Sequence, residues 1–504
     1  LRALAECSDL KRRGTFTAAR AQHIDSTLPN VLRNTIWQAS RAVLLKNISK
    51  YQSMIHFSKM VFLLLLYTAG IAKAQVVLTL EDVLHYALQN SEVLKQARLD
   101  IENVQYQINE TRASALPQVN IVSSLTGNPI VQQFVLPAEA FGGPPGEFIA
   151  IKAGQTWNAM SQVQFNQQIF NQQVFAGLKA AKGGTEYYKL MEQLSEENVI
   201  QQVATNFYQV IITRQQMNVV AANFERVKKL ETMVAGQYEN GLAKKIDLDR
   251  IRVNRANLEA QQLQLDIAVA QQENLLKYYM GMPIGQPITI RSEELTKLEN
   301  TLATSVPEDG LNTEQLLSFK ILRKQEELSI LQQKTFRAEY YPTLSLGANY
   351  TYNTQSSEFN LYTAKSLRYD MAAVSLTLRI PLFEGNARAA RIKQSDVSLL
   401  KIKEDLNKTT NSLNMAYENA RNQVRNSLKA IHTQQANRQL AEEVFFSTQN
   451  NYKNGLATLT DLLNAESEQV AAQNSYNEAL LNYKVAELEL IKSNGNIRSL
   501  VHNE

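Results

Sequence analysis

The chain contains one stretch twice, and few folds accommodate that. Residues 237–281 read QYENGLAKKIDLDRIRVNRANLEAQQLQLDIAVAQQENLLKYYMG, and residues 451–495 read NYKNGLATLTDLLNAESEQVAAQNSYNEALLNYKVAELELIKSNG. A constant offset of 214 places Tyr238 on Tyr452, Asn240 to Ala243 on Asn454 to Ala457, Asp247 on Asp461 and Gly281 on Gly495. An ungapped offset of this length marks an internal duplication.

Each copy has the same local physics. Its Asn-Gly pair supplies positive φ at little steric cost, so it ends one helix and turns the chain. A helical run without Gly or Pro follows and stops at a second glycine. Upstream lie two more proline-free runs, 173–238 and 386–452; the first has glycine only at Gly177, Gly183, Gly184 and Gly236, the second none. At 1.5 Å per residue, about 66 residues make a helix of roughly 100 Å. The usual globular helix has about a dozen residues. Two long antiparallel helical hairpins therefore dominate the molecule.

Between the helical runs the apolar period shortens from 3.6 to 2. Residues 79–114 open on the capping-box pattern Thr79-x-x-Asp82 and continue as helix. From Pro117 the odd positions Val119, Ile121 and Leu125 are apolar, as in a strand. A Gly- and Pro-rich loop, 127–154, leads to a second alternating segment with Trp157, Ala159, Val163 and Phe165 on one side and Asn158, Gln162, Gln164 and Asn166 on the other. The second half repeats the plan. Helix 312–339 precedes a strand from Pro342 to Tyr352, a polar loop at about 353–367, and a strand in which Val374, Leu376, Leu378 and Ile380 alternate with Ser375, Thr377 and Arg379. The alternation suits either a half-buried soluble sheet or the wall of a membrane barrel with apolar residues outward. Four strands cannot close a barrel, and lipid does not tolerate an open edge, so closure would need other subunits. Three copies would supply twelve strands.

The domain plan follows. Residues 54–74 read as a secretory signal peptide: a weakly basic start, an apolar core from Met60 to Tyr67, and the A-x-A site Ala72-Lys73-Ala74. The core is too short for a transmembrane helix. Residues 1–53 are then expected to be an upstream extension outside the working protein. Residues 75–281 and 312–495 are the two repeats, 282–311 (with Pro283, Pro287 and Pro307) the connector, and 496–504 the tail. Removing 1–74 takes away eleven of the 52 Lys and Arg, three of the 48 Asp and Glu, and Cys7, the single cysteine. The remainder is mildly acidic and thiol-free, which argues against nucleic-acid binding, disulfides and cysteine metal sites. His85, His432 and His502 lie far apart, and no H-E-x-x-H, G-x-x-x-x-G-K or G-x-S-x-G occurs. Neither an enzyme, a metal site nor a cofactor is expected.

With these parts assembled, the chain resembles the TolC-like outer-membrane efflux proteins over 79–495. The marks are Ala87-Leu88-Gln89-Asn90, the passage Arg112–Pro117, the run PLFEG from Pro381 to Gly385, and the paired Tyr-x-x-Gly turns. The resemblance implies an α+β membrane protein. A homotrimer would place a twelve-stranded β-barrel in the outer-membrane lipid of a Gram-negative cell, four strands per subunit, above a periplasmic α-helical barrel of long hairpins. It implies the exit duct of a tripartite efflux or type I secretion system, docked to a periplasmic adaptor and an inner-membrane pump and carrying drugs, proteins or metal ions. It also implies that Asp461 lines a periplasmic constriction, where Asn464 replaces a second acidic residue. Thr458-x-x-Asp461 is equally a helix-capping pattern, and the two roles are compatible. Asp247, the duplicate, reads as a surface or interhelix pairing residue near Lys244 and Lys245. Tyr452 and Tyr238 either hydrogen-bond across neighbouring hairpins, holding closed a mouth whose first helical turns carry Asp247 and Asp461, or pack at helix ends. The tips Gly241, Leu242, Ala243 and Gly455, Leu456, Ala457 are the candidate adaptor contacts, since an exposed leucine at a turn suits a partner. The competing reading is a secreted coiled-coil structural or adaptor protein of the cell envelope, which detergent-dependent extraction would distinguish.

Overall fold

The computed structural model describes residues 76–291, 310–361 and 365–502; the expected signal peptide and upstream extension lie outside them. In chain order the elements are β1 (Val76–Leu78), α1 (Leu80–Asn90), α2 (Glu92–Ala113), β2 (Gln118–Gly127), β3 (Gln133–Pro137), β4 (Phe148–Lys152), β5 (Trp157–Asn171), α3 (Gln172–Glu239), α4 (Lys245–Met280), β6 (Ile288–Ile290), α5 (Leu317–Ala338), β7 (Thr343–Ser356), β8 (Leu367–Arg379), α6 (Ala387–Lys453), α7 (Leu459–Ser493) and α8 (Ser499–His502). Helices α3 and α6 run for 68 and 67 residues, as the absence of proline allows, and α4 and α7 return over 36 and 35.

The helices form a layer four wide. Near the tips, α3 packs on α4 and α7, and α6 packs on α7; farther up, α2 and α5 take the places of α4 and α7. The hand-over is an end-to-end join at a glycine. Helix α4 stops at Gly281, where a Cβ would stand 2.8 Å from the Asn90 carbonyl carbon between α1 and α2. Helix α7 stops at Gly495, where a Cβ would stand 2.9 Å from Leu316, just before α5. Both glycines have positive φ, 69° and 82°, so each terminates its helix and admits the next one closely. The opening helix read over 79–114 is accordingly broken at Ser91 (ψ 129°), because the end of α4 occupies that joint. Thr79 and Asp82 form the expected capping box.

The join is also where the largest core lies. Val83, Leu84 and Ala87 of α1, Val203 and Phe207 of α3, Leu276 of α4 and Leu488 of α7 pack there with the small parallel pair β1–β6. Lys492 Nζ donates to Asn198 Oδ1 (2.9 Å) and Arg498 to Glu196 (2.7 Å), tying the end of the second hairpin to α3. The connector segment thus contributes a strand, β6, which its proline content did not suggest. Among the described residues, no helix is long and apolar enough to cross a membrane.

At the other end of α2, α3, α5 and α6 stands an antiparallel sheet of order β2-β5-β7-β8. Residues paired directly across antiparallel strands share a face. The register pairs Ile121 with Val163, Val163 with Tyr350 and Tyr350 with Ala372; likewise Val119, Phe165, Ala348 and Val374 align. Leu346 and Leu376 pair on that same face, while Asn120, Gln164 and Asn349 align on the opposite one. The sheet therefore has one face that is mainly apolar over its central and helix-side rows and one amide-lined face. A register shift between Gln168 and Phe170 keeps Phe170 opposite Leu344 as the chain enters α3. Strands β2 and β8 leave both edges open. The segment read as loop 127–154 holds a separate hairpin, β3–β4, because Phe134 to Leu136 and Phe148 to Ile151 are strand-forming runs on either side of the Gly/Pro turn.

Candidate functional site

The two hairpin tips are built alike. Helix α3 ends in a Schellman turn: Leu242 N–H donates to Gln237 O (2.7 Å) and Gly241 N–H to Tyr238 O (3.0 Å), with Gly241 at φ 75°. Helix α6 repeats it, with Leu456 N–H to Asn451 O (2.8 Å), Gly455 N–H to Tyr452 O (3.0 Å) and Gly455 at φ 74°. The leucine after such a turn commonly packs back on its own helix. Here Leu242 and Leu456 are instead 80% and 78% exposed. Ala243 and Ala457 are half-buried behind them.

The four predicted mouth residues divide. Asp461 is exposed and closes the capping box of α7: its Oδ2 accepts from Thr458 Oγ1 (2.7 Å) and from Thr458 N–H (2.9 Å). The Thr458 hydroxyl bond, then the backbone bond, hold its carboxyl below the usual carboxylate range. A depressed pKa stabilises the cap fully above the unfolded value, and that contribution is lost as pH falls through the folded one. The Asp461 carboxylate is therefore charged at neutral pH. Helix α4 lacks the equivalent cap because Lys244 stands where Thr458 does. Tyr452 is half-buried against the lower core of Val227, Val234, Leu248 and Ile251, and burial, then the charge of Asp247, push its phenol up. The structure so brings Tyr452 of the second hairpin to Asp247 of the first. Tyr238 is exposed beside its own turn.

Other contacts join the hairpins here without having been foreseen. Arg250 of α4 donates to Thr460 Oγ1 of α7 (2.6 Å). Arg226 of α3 reaches Glu466 of α7 (3.0 Å) while stacking 5.7 Å from the Phe445 ring centre of α6. Glu466 is buried, and burial raises its pKa against the lowering effect of Arg226. The signal lay in the spacing: Glu466 stands four residues after buried Leu462, on the packed side of α7, where a charge needs a partner.

The outer edges of the layer carry a further feature. On α4, Ile246, Val253, Ala260 and Ile267 recur every seven residues, as do Ala256, Leu263 and Ala270 between them, and all are exposed. This is a coiled-coil seam with no partner among the described residues. On the opposite edge α6 exposes Leu400, Met415, Leu440 and Val444.

Comparison with known proteins agrees with this architecture. The model of the outer membrane efflux protein family matches residues 83–282 and 327–496. Outer membrane protein TolC of Vibrio cholerae is 17% identical over 418 residues, 83% of this chain and 91% of that protein. Proteases secretion protein PrtF of Dickeya chrysanthemi is 26% identical over 248 residues, 48% of this chain and 51% of that protein. The crystal structure of the outer membrane protein VceC from Vibrio cholerae superposes with a TM-score of 0.59 at 18% identity, covering 82% of this chain and 96% of that one.

Proposed function

The chain belongs to the outer membrane efflux protein family, and we propose that it forms the exit duct of a tripartite efflux or type I secretion system. The observation that carries this reading is the four-stranded sheet with one apolar face and two open edges, set on helices of roughly 100 Å. Strands β2 and β7 run away from the helices and β5 and β8 toward them. The β8 of one copy can therefore pair antiparallel with β2 of the next, and three copies close a twelve-stranded barrel with lipid outside and amides inside. The α4 seam packs on α6 of the neighbour at the same time, extending the barrel into a helical tube. Each repeat, 75–281 and 312–495, supplies half of a subunit's wall.

The tube ends at the hairpin tips. Leu242 and Leu456, with Gly241, Ala243, Gly455 and Ala457, form the surface for a periplasmic adaptor, which links the duct to an inner-membrane pump. The protease-secretion relative favours a secretion system among the alternatives. Asp461 from each copy faces the constriction, and the Arg250–Thr460 contact, with Tyr452 packed on Leu248 and Ile251, latches one hairpin to the other in the closed state. Adaptor binding favours hairpins swung apart about otherwise rigid helices.

Planar-bilayer recording tests the duct and its gate together. The wild-type protein is expected to give discrete pores, and Tyr452→Phe combined with Asp461→Ala is expected to raise single-channel conductance without altering trimer yield. Unchanged conductance would move the gate elsewhere. A protein that extracts without detergent and forms no pores would instead be a structural component of the envelope.

A further inference from the structure

One row of the sheet departs from the apolar face it belongs to. Ile121, Val163, Tyr350 and Ala372 form an apolar row, and so does the row below it. The next row toward the strand-connecting loops is Ser123, Ser161, Tyr352 and Asp370, polar in all four strands. One row farther, on the same face, stands Arg368, opposite Thr354. Asp370 and Arg368 are the only charged side chains on this face of the four strands, and both are exposed. The row is bonded within itself and to its neighbour: Ser123 Oγ and Ser161 Oγ are 3.0 Å apart, and Tyr350 Oη donates to Asp370 Oδ2 (3.1 Å).

Charge on the lipid face of a barrel is costly at mid-membrane and cheap near the interface. The row therefore marks where hydrocarbon ends at the outer side, since the loops lie at this end and the helices at the other. What meets it there is a lipid headgroup. Arg368 offers a guanidinium suited to phosphate. Two residues along the strand, about 7 Å away on the same face, Asp370 accepts hydrogen bonds and Tyr352 and Ser161 both donate and accept. That combination fits a phosphorylated sugar. Phosphatidylethanolamine also offers a phosphate and a hydrogen-bond donor, but it fills the inner leaflet, at the helix end of the barrel.

Resting on the barrel reading above, we propose that Arg368, Asp370, Tyr352 and Ser161 form an outward-facing site for the phosphorylated sugar headgroup of lipopolysaccharide.

Native mass spectrometry of the full chain in detergent, titrated with lipid A or with phosphatidylethanolamine, tests it. Lipid A is expected to bind the trimer preferentially. Arg368→Ala should weaken it by about tenfold, the scale of one charge-assisted contact, and Asp370→Asn should weaken it less. Arg379→Ala, on the same strand but the opposite face, should leave binding unchanged. Should Arg368→Ala fail to assemble, Arg368→Gln carries the same comparison. Equal binding by the Arg368 variant, or phosphatidylethanolamine binding as tightly as lipid A, overturns the site while leaving the barrel intact. The same spectra report the trimer mass, and a chain that forms no trimer removes the barrel reading and the site with it.

Discussion

Leu376→Lys is expected to abolish assembly in the membrane, whereas Ser375→Lys, one residue away, leaves it intact. Leu376 pairs with Leu346 on the apolar face, six residues on the helix side of Asp370, which on a tilted strand of the proposed barrel puts it near mid-membrane. A lysine facing lipid at that depth costs about 2–4 kcal/mol, and threefold symmetry incurs the cost in every copy. Against a total stability of about 5–15 kcal/mol for a typical protein, that is decisive. Ser375 faces the amide-lined side, where Gly347 leaves room above it and water solvates a charge. Leu346→Lys and Ser345→Lys should behave as the corresponding pair on β7. The yield of trimer in the outer-membrane fraction measures the difference, and equal loss on both faces would contradict the assignment of inside and outside.

The second large effect is at the joint between α4 and α1–α2. Gly281→Ala forces a side chain into the left-handed region at φ 69° and drives its Cβ against the Asn90 carbonyl. Backbone strain of about 1–3 kcal/mol adds to overpacking of about 1–3 kcal/mol. Gly241→Ala has a similar φ of 75°, but nothing lies within 4 Å of its Cβ. Only the conformational cost of about 1–2 kcal/mol remains there. Denaturant midpoints of the two variants in detergent should fall unequally, with Gly281→Ala much the lower. Equal losses would mean that the end-to-end joint is loose and that glycine serves both positions only as a helix stop.

The contrast between these glycines shows what was legible in the sequence. The duplicated turn disclosed all four long helices, because a helix ends where its backbone must adopt positive φ, and Gly241, Gly281, Gly455 and Gly495 do adopt it. The strands were legible for a similar reason: period-2 alternation has one physical interpretation once the faces differ in polarity. Tertiary context was not. Nothing local to Ser91 announced that the end of α4 would sit against it and break the opening helix. The β3–β4 hairpin was hidden by the Pro- and Gly-rich turn at its centre. At the hairpin tips, the Thr458–Asp461 cap was readable from its spacing. The approach of Tyr452 to Asp247 and the Arg226–Glu466 bridge depend on how two hairpins 214 residues apart in sequence lie side by side. The seven-residue recurrence on α4 was present to be read, yet a seam without a partner among the described residues acquires meaning only beside the open strand edges.

Those two open edges, on the sheet and on the helical layer, carry the central claim, and the mass of the native particle tests it most directly. Purified in detergent, the protein should give three chains per particle, stable to dilution, and should fall to single chains when Val253 and Ile267 of the α4 seam are both replaced by Glu. A wild-type protein that is a stable monomer in detergent, with the seam and the sheet edges exposed, would contradict the account.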